Sequence, residues 1–432
     1  VEVLSAFAEE PWALALISGG EGEAGRWSYV TRAPQAAVSL SADDPRDPFE
    51  AITDLLGVGI DRFAERPPFQ GGVVGLATYE LGDRVERLGL ARQPAWPDLH
   101  AARYEAVLAF DRRRGEVLGI GRGADPAAAE ARARQALSWL SGPPRAMRPG
   151  ALAGELTGSD PLAYEAAVAE VVEAIHAGEI FQANIARSWT GRMVAGASPF
   201  DLFARLAAQS QAPFAAYFRL AGKALVSNSP ERFLQVRDGL AETRPIKGTR
   251  PRGTSPSEDA ALVRELTSSP KDRAENLMIV DLMRNDLSRV CEPGTVRADD
   301  LFAVESFANV HHLVSTVTGR LAKGRDAIDL LRAAFPPGSI TGAPKVQAMK
   351  VISRLETPRG PYCGSLFWAG FDGGLESSVL IRTAACVQDP AGWRIEARAG
   401  AGIVADSDPH AERLETEAKV SALLRALRGT GE

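Results

Sequence analysis

Between residues 214 and 246 the chain holds four short apolar runs, 214–220, 224–228, 233–236 and 240–246, joined by Ala221-Gly222-Lys223 and Asp238-Gly239. Joints this short allow only antiparallel neighbours, and glycine supplies the positive φ that tight hairpin turns need. The spacing predicts an antiparallel meander. Two further hairpins are predicted, 106–110 with 116–120, and 379–387 turning through Asp389-Pro390-Ala391-Gly392 into 393–397. Helical spacing appears elsewhere. Residues 127–140 are alanine-rich, and after Ser159-Asp160-Pro161, which suit a helix cap and first turn, Val168, Val171, Val172 and Ile175 recur until Gly178. Runs of strands set apart from runs of helices predict an α+β fold rather than a doubly wound one.

With 432 residues and 45% hydrophobic content, the chain can bury large cores and suits two or three domains. The stretch Gly142-Pro143-Pro144-Arg145-Ala146-Met147-Arg148-Pro149-Gly150 is linker-like and divides residues 1–145 from residues 155–432. A net charge of −6 leaves no electrostatic footprint for nucleic acid. Apolar stretches fall short of a membrane span, and the start has no basic segment of the signal-peptide kind, so a cytoplasmic, non-membrane protein is expected. Cys291, Cys363 and Cys386 are dispersed, which argues against a disulfide framework or a zinc site.

Lys247 lies in Arg244-Pro245-Ile246-Lys247-Gly248-Thr249-Arg250-Pro251-Arg252-Gly253. Pro245 fixes its own φ and Gly248 lets the backbone turn, so the amine is held in place. Desolvation would lower its pKa and expose a nucleophilic fraction. Sixteen positions earlier, Ser229-Pro230-Glu231-Arg232-Phe233 offers a carboxylate in a similar turn, close to the end of a strand of the same sheet. The alternative is a basic loop that pairs with surface carboxylates.

Two helices carry acids beside their apolar stripes. Asp272 and Glu275 share a face with Ile279 and Leu282, and Glu412, Glu415 and Lys419 share another beside the Val420, Leu423, Leu424 and Leu427 stripe. Paired acids at a buried margin suit a hard cation, and magnesium fits a few carboxylates plus waters; solvated helix faces with ordinary ion pairs are the other possibility. The small residues of Ala399-Gly400-Ala401-Gly402 would let backbone N–H groups approach a carboxylate, or simply make a tight turn. Arg382, a charge within the apolar strand expected over 379–387, needs a partner or a carboxylate ligand.

These segments resemble the chorismate-utilising enzymes, the group of anthranilate synthase component I, aminodeoxychorismate synthase component I and the isochorismate and salicylate synthases. The resemblance runs through most of the chain. Its densest motifs are Pro245-Ile246-Lys247-Gly248-Thr249, the run from Lys271 to Asp286, His311-His312-Leu313-Val314-Ser315, Gly338-Ser339-Ile340-Thr341-Gly342-Ala343-Pro344-Lys345 and the run from Ala399 to Ser407. It implies large antiparallel sheets packed as a sandwich with helices outside, residues 1–145 being similar to the anthranilate synthase N-terminal domain and 155–432 forming the chorismate-binding catalytic part. Lysine at position 247 resembles the aminodeoxychorismate synthase subgroup, where anthranilate synthases look alike in carrying alanine.

The resemblance further implies Lys247 as a nucleophile towards chorismate, Glu231 as general acid, and magnesium on Glu275 and Glu415 with Asp272 and Glu412 behind water. Lys419 and the Gly400, Ala401 and Gly402 backbone would hold the ring carboxylate and Arg382 the enolpyruvyl one, with Thr341 and His312 lining the pocket. The family's Gly-Tyr is Phe367-Trp368 here, so the tyrosine hydroxyl expected against the substrate is missing and Trp368 stands in its position. None of the cysteines lies in a Gly-x-Cys-x-Gly elbow, so ammonia is expected from a separate glutamine amidotransferase subunit. The N-terminal segment also resembles the part that holds tryptophan in anthranilate synthases, which makes tryptophan a candidate ligand. Two rival readings are an anthranilate synthase component and a non-catalytic, tryptophan-sensing partner of an amidotransferase.

Overall fold

The computed structural model describes residues 1–20, 25–59, 67–209, 212–307 and 310–429. Among these residues two wholly antiparallel sheets are built, of eleven and ten strands. Each takes strands from both sides of residues 146–154: Leu14–Ile17 pairs with Phe214–Leu220 in the first sheet, and Gly72–Ala77 pairs with Ser365–Gly370 in the second.

The turn residues act as expected. Ala221-Gly222 closes the hairpin of Phe214–Leu220 with Lys223–Ser229, and Asp238 and Gly239, both at positive φ, close that of Arg232–Arg237 with Leu240–Thr243. The expected single meander is nevertheless two hairpins in two different sheets, because the chain changes sheet at Pro230. The run 240–246 also breaks at Arg244-Pro245, and Lys247 belongs to a separate strand, Ile246–Pro251.

The strand expected over 379–387 likewise breaks. Leu375–Val379 lies in the second sheet and Thr383–Asp389 in the first, and Arg382, at φ 52°, sits in the crossing between them rather than inside a strand. The two crossings run side by side. Ser229 Oγ donates to Val379 O at 2.6 Å, Val379 N–H to Glu231 O at 3.1 Å and Asn228 N–H to Arg382 O at 3.1 Å. Strands that switch sheets make the corner of a sandwich, and this corner carries both Glu231 and Arg382.

Between the sheets lies a core including Leu14, Phe69, Val74, Tyr104, Phe218 and Trp368. Helices cover the outer faces. Pro270–Ser288 lays Ile279, Val280, Met283 and Leu287 on the second sheet, and Pro409–Arg428 packs Val420, Leu423 and Leu427 on the first. Each such buried side chain contributes roughly 1.5–3 kcal/mol of transfer free energy, so both acid-bearing helices are pinned by their apolar stripes. Ser269 and Asp408 cap them, accepting from the N–H groups of Asp272 and Ala411.

Candidate active site

Lys247 reaches the site through a local irregularity. The pairing of Ile246–Pro251 with Val310–Arg320 shifts register between Ile246 and Thr249, which turns Lys247 out of the regular ladder. Gly248 has φ 84°, and a Cβ there would lie 2.9 Å from Leu266 Cδ1 and 3.1 Å from the Asp272 side chain, so glycine is required for the strand to pass the helix. The Lys247 side chain, 11% exposed, donates from Nζ to Glu275 Oε1 at 2.9 Å. The same oxygen accepts from Gln182 Nε2 at 2.6 Å.

This pair corrects one expectation. Burial does press the Lys247 amine towards neutrality, but Glu275, Glu231 and Glu415 outweigh it and hold its pKa above the ordinary lysine value. Glu275 is held below the usual glutamate range although burial works against it, because Lys247 and Gln182 stabilise its charged form. The amine of the ligand-free chain is therefore an ammonium, and nucleophilicity requires that Glu275 be drawn away.

Glu231, 5% exposed, is shifted in the direction a general acid needs. Burial pushes its carboxyl up, and the Ser339 hydrogen bond and the charges of Lys247 and Lys419 only partly offset this. Ser339 Oγ lies 2.5 Å from Glu231 Oε1.

On the last helix Lys419 joins three of the expected groups. Its Nζ contacts Glu415 Oε1 at 2.5 Å and donates to Gly400 O at 2.8 Å, and its carbonyl accepts from Arg382 Nη1. Burial lowers the Arg382 pKa, with Tyr362 and Glu415 opposing. Gly400 and Gly402 leave room where side chains would collide. A Cβ on Gly400 would lie 2.7 Å from Asn184 Oδ1 and 2.9 Å from the Tyr362 hydroxyl, and one on Gly402 would lie 2.2 Å from Gln182 Nε2 and 3.0 Å from Glu275 Oε1. Ala401 points its methyl into the core beside Ile185 and Ile403, so only its backbone is available.

Other expected residues are occupied locally. The buried Thr341 hydroxyl donates to Pro337 O at 2.8 Å. His312 Nδ1 bonds Thr249 Oγ1 at 2.9 Å, and burial, with the charges of Arg382 and His311, lowers its pKa to about 4. Asp272 pairs with Arg250 at 3.1 Å, and Glu412 accepts from Ser407 Oγ at 2.7 Å. Burial, and to a smaller degree the neighbouring Glu415, raise the Glu412 pKa, with the Ser407 hydrogen bond and the charges of Lys271 and Lys419 opposing.

The donor chemistry of these four carboxylates fits a hard cation: all oxygens, on two capped helices, beside the space at Gly402. Their spacing does not yet close, since among the described residues no three His, Cys, Asp or Glu side chains converge to hold a metal.

Trp368 does not stand in for the missing tyrosine. It packs in the inter-sheet core, its ring 5.2 Å from that of Phe69, while the tyrosine beside Gly400 is Tyr362. Gln182, Ser339 and Tyr362 make contacts in the site that the sequence did not single out. A polar residue flanked by apolar neighbours, as Gln182 is in Ile180-Phe181-Gln182-Ala183, was the available signal. Away from Lys247, a narrow cleft of about 70 Å³ opens between the sheets, lined by Ser18, Trp27, Tyr29, Phe214, Arg232 and Trp368 among others. No helix among the described residues is long and apolar enough to cross a membrane.

The profile of the chorismate binding enzymes matches residues 21–425. The chain is 40% identical to aminodeoxychorismate synthase component 1 of Klebsiella aerogenes, over 98% of this chain and 95% of that one. It is 38% identical to anthranilate synthase component 1 of Streptomyces coelicolor, over 95% and 82%. Among solved structures it is similar to anthranilate synthase component I from Streptococcus pneumoniae, with a TM-score of 0.81 and 27% identity over 94% of each chain.

Proposed function

The chain belongs to the chorismate binding enzymes, and from that membership and the geometry of its site we propose that it aminates chorismate to 4-amino-4-deoxychorismate, on the route to p-aminobenzoate and folate. The observation that carries this is Lys247: a buried amine on a strand bulge, 2.9 Å from Glu275 and in the field of the buried acid Glu231.

In this proposal the Lys247 amine attacks the second ring carbon of chorismate. A C–N bond forms, both ring double bonds shift round the ring through the carboxylate-bearing carbon, and the C–O bond at the fourth carbon breaks as Glu231 gives its proton to the departing hydroxyl, which leaves as water. Ammonia then adds at the fourth carbon and gives a proton back to Glu231, both double bonds shift back, the C–N bond to the lysine breaks and the lysine is released. Lys419 and the Gly400–Gly402 backbone orient the ring carboxylate, and Arg382 clamps the enolpyruvyl carboxylate. Glu275 and Glu415 would hold magnesium, with Asp272 and Glu412 reaching it through water. When bound, the cation would neutralise the ring carboxylate and draw electron density towards it.

Ammonia would come from a glutamine amidotransferase subunit, in keeping with relatives named as component 1, and the pair would work in the cytoplasm. For tryptophan, the cleft lined by Ser18, Trp27 and Tyr29 is the candidate pocket; calorimetric titration of the free amino acid tests it, and no heat at millimolar concentration removes it.

The deciding experiment incubates the chain with chorismate, magnesium and ammonium at alkaline pH. Formation of p-aminobenzoate only after a lyase is added supports the proposal. Fluorescent anthranilate without the lyase would instead support the second reading, which the similarity to anthranilate synthases favours. Lys247→Ala should strongly cut turnover while leaving chorismate binding largely intact, and unchanged turnover would remove Lys247 as nucleophile.

A further inference from the structure

We propose that Ser339 is a positioning residue for the acid: by donating its hydroxyl to Oε1 of Glu231, it keeps the catalytic proton on Oε2, the oxygen free to meet the leaving group. This rests on Glu231 being the general acid. Both side chains are buried, and Ser339 Oγ lies 2.5 Å from Oε1. Among the described residues the Ser339 hydroxyl has no other acceptor, so it must donate here, and a donated hydrogen leaves Oε1 unable to carry the acid's own proton on the same side. Oε2 has no protein hydrogen bond among the described residues.

Both ends of this contact are fixed. Ser339 sits in the turn Gly338–Ile340, whose carbonyls accept from Thr341 N–H at 3.2 Å and Arg359 Nη1 at 3.3 Å. Behind the turn, Lys345 is buried against Asp286 at 2.7 Å and Ala334 O at 2.6 Å. Glu231 is tied through its N–H to Ser229 Oγ at 3.2 Å and through its carbonyl to Val379. The charged and titratable groups around the carboxyl are Lys247 on its strand, Lys419 on the last helix and the Cys363 thiol at the second crossing. Both lysines favour the anion, whereas Ser339 alone makes a hydrogen bond to one named oxygen of the carboxyl among the described residues. As the proton moves to the departing hydroxyl, Glu231 becomes an anion and the serine bond to it strengthens, which places the benefit in the transition state.

The test compares Ser339→Ala with the parent full chain, with saturating ammonium, magnesium and chorismate, following chorismate consumption from below neutrality to alkaline pH. A hydrogen bond to an ionised carboxyl that is lost favours the protonated form, so the alkaline limb of kcat should move up by about one pH unit. In addition kcat should fall about tenfold or more, because the proton is no longer directed, while KM stays within about twofold. A merely structural lesion would admit water and move that limb down or raise KM. An unchanged kcat and limb, or a downward shift, overturns the proposal.

If Ser339→Ala does not fold, Ser339→Thr and Ser339→Val share a shape and differ in the hydroxyl. The first must keep the parent's limb and the second must displace it; identical limbs overturn the proposal. Glu231→Gln separates the two levels. If it retains turnover, the assignment of the acid fails, whereas a dead Glu231→Gln with a normal Ser339→Ala defeats only the role of the serine.

Discussion

Glu275→Gln should raise the neutral, reactive fraction of Lys247 in the ligand-free chain. The substitution keeps the volume beside Gln182 and removes the charge 2.9 Å from Nζ. At that distance and an effective dielectric of 20, two unit charges interact by about 6 kcal/mol, an upper bound because solvent and the remaining acids Glu231 and Glu415 take part. A charge-assisted hydrogen bond contributes about 1.5–3 kcal/mol net. On that lower figure, the neutral fraction at a given pH rises about tenfold to a hundredfold. Burial, already pressing towards the neutral form, then goes unopposed by its largest counterweight. Pulsed reductive methylation at pH 8, with peptide mass spectrometry, reads this out as the rate at Lys247 relative to the exposed Lys323. An unchanged ratio would refute the claim that Glu275 controls this amine.

Gly402→Ala should impair turnover far more than stability, because the new methyl would fall 2.2 Å from Gln182 Nε2 and 3.0 Å from Glu275 Oε1; overpacking of this kind costs about 1–3 kcal/mol, and parallel kinetics and thermal melts check it. Lys345→Met should destabilise the chain by about 3–5 kcal/mol in a denaturant titration, since it leaves Asp286 buried without its partner. The double variant Lys345→Met/Asp286→Leu should recover much of that loss, and a double variant as unstable as the single one would count against the ion pair as the cause. The His312 ring should stay neutral down to about pH 4, as burial dictates. The unfolded chain takes up this proton near pH 6.5 and the folded chain does not, so stability should decline as pH falls through that window. Its ring resonances in an NMR titration give the answer, and a midpoint above 6 would contradict it.

Legibility in the sequence followed the range of the interactions. The shared helix face of Asp272, Glu275, Ile279 and Leu282 could be read from spacing, because a helix relates only residues a turn apart. The hairpin turns at Gly222 and at Asp238-Gly239 were legible because positive φ is a local demand. What misled was continuity: apolar runs through 240–246 and 379–387 read as single strands, yet each breaks where the chain must turn a corner. Arg382 looked like a charge inside a strand and proved to be a corner residue at φ 52°. Trp368 looked like a replacement for a substrate contact and is a core residue, while Tyr362 stands beside Gly400.

The identities of the reactive groups were written in the chain itself: an amine between Pro245 and Gly248, a carboxylate after Pro230, and acids one helical turn apart on two helices. Their charge states were not. Whether Lys247 is amine or ammonium depends on Glu275, 28 residues away, and whether Glu231 holds its proton depends on burial and on Ser339, 108 residues away. Only the packing of the helix Pro270–Ser288 and the turn Gly338–Ile340 against the second sheet and its corner brings those atoms within hydrogen-bond distance, and electrostatic interactions at about 3 Å in a buried site outweigh anything the neighbouring sequence imposes.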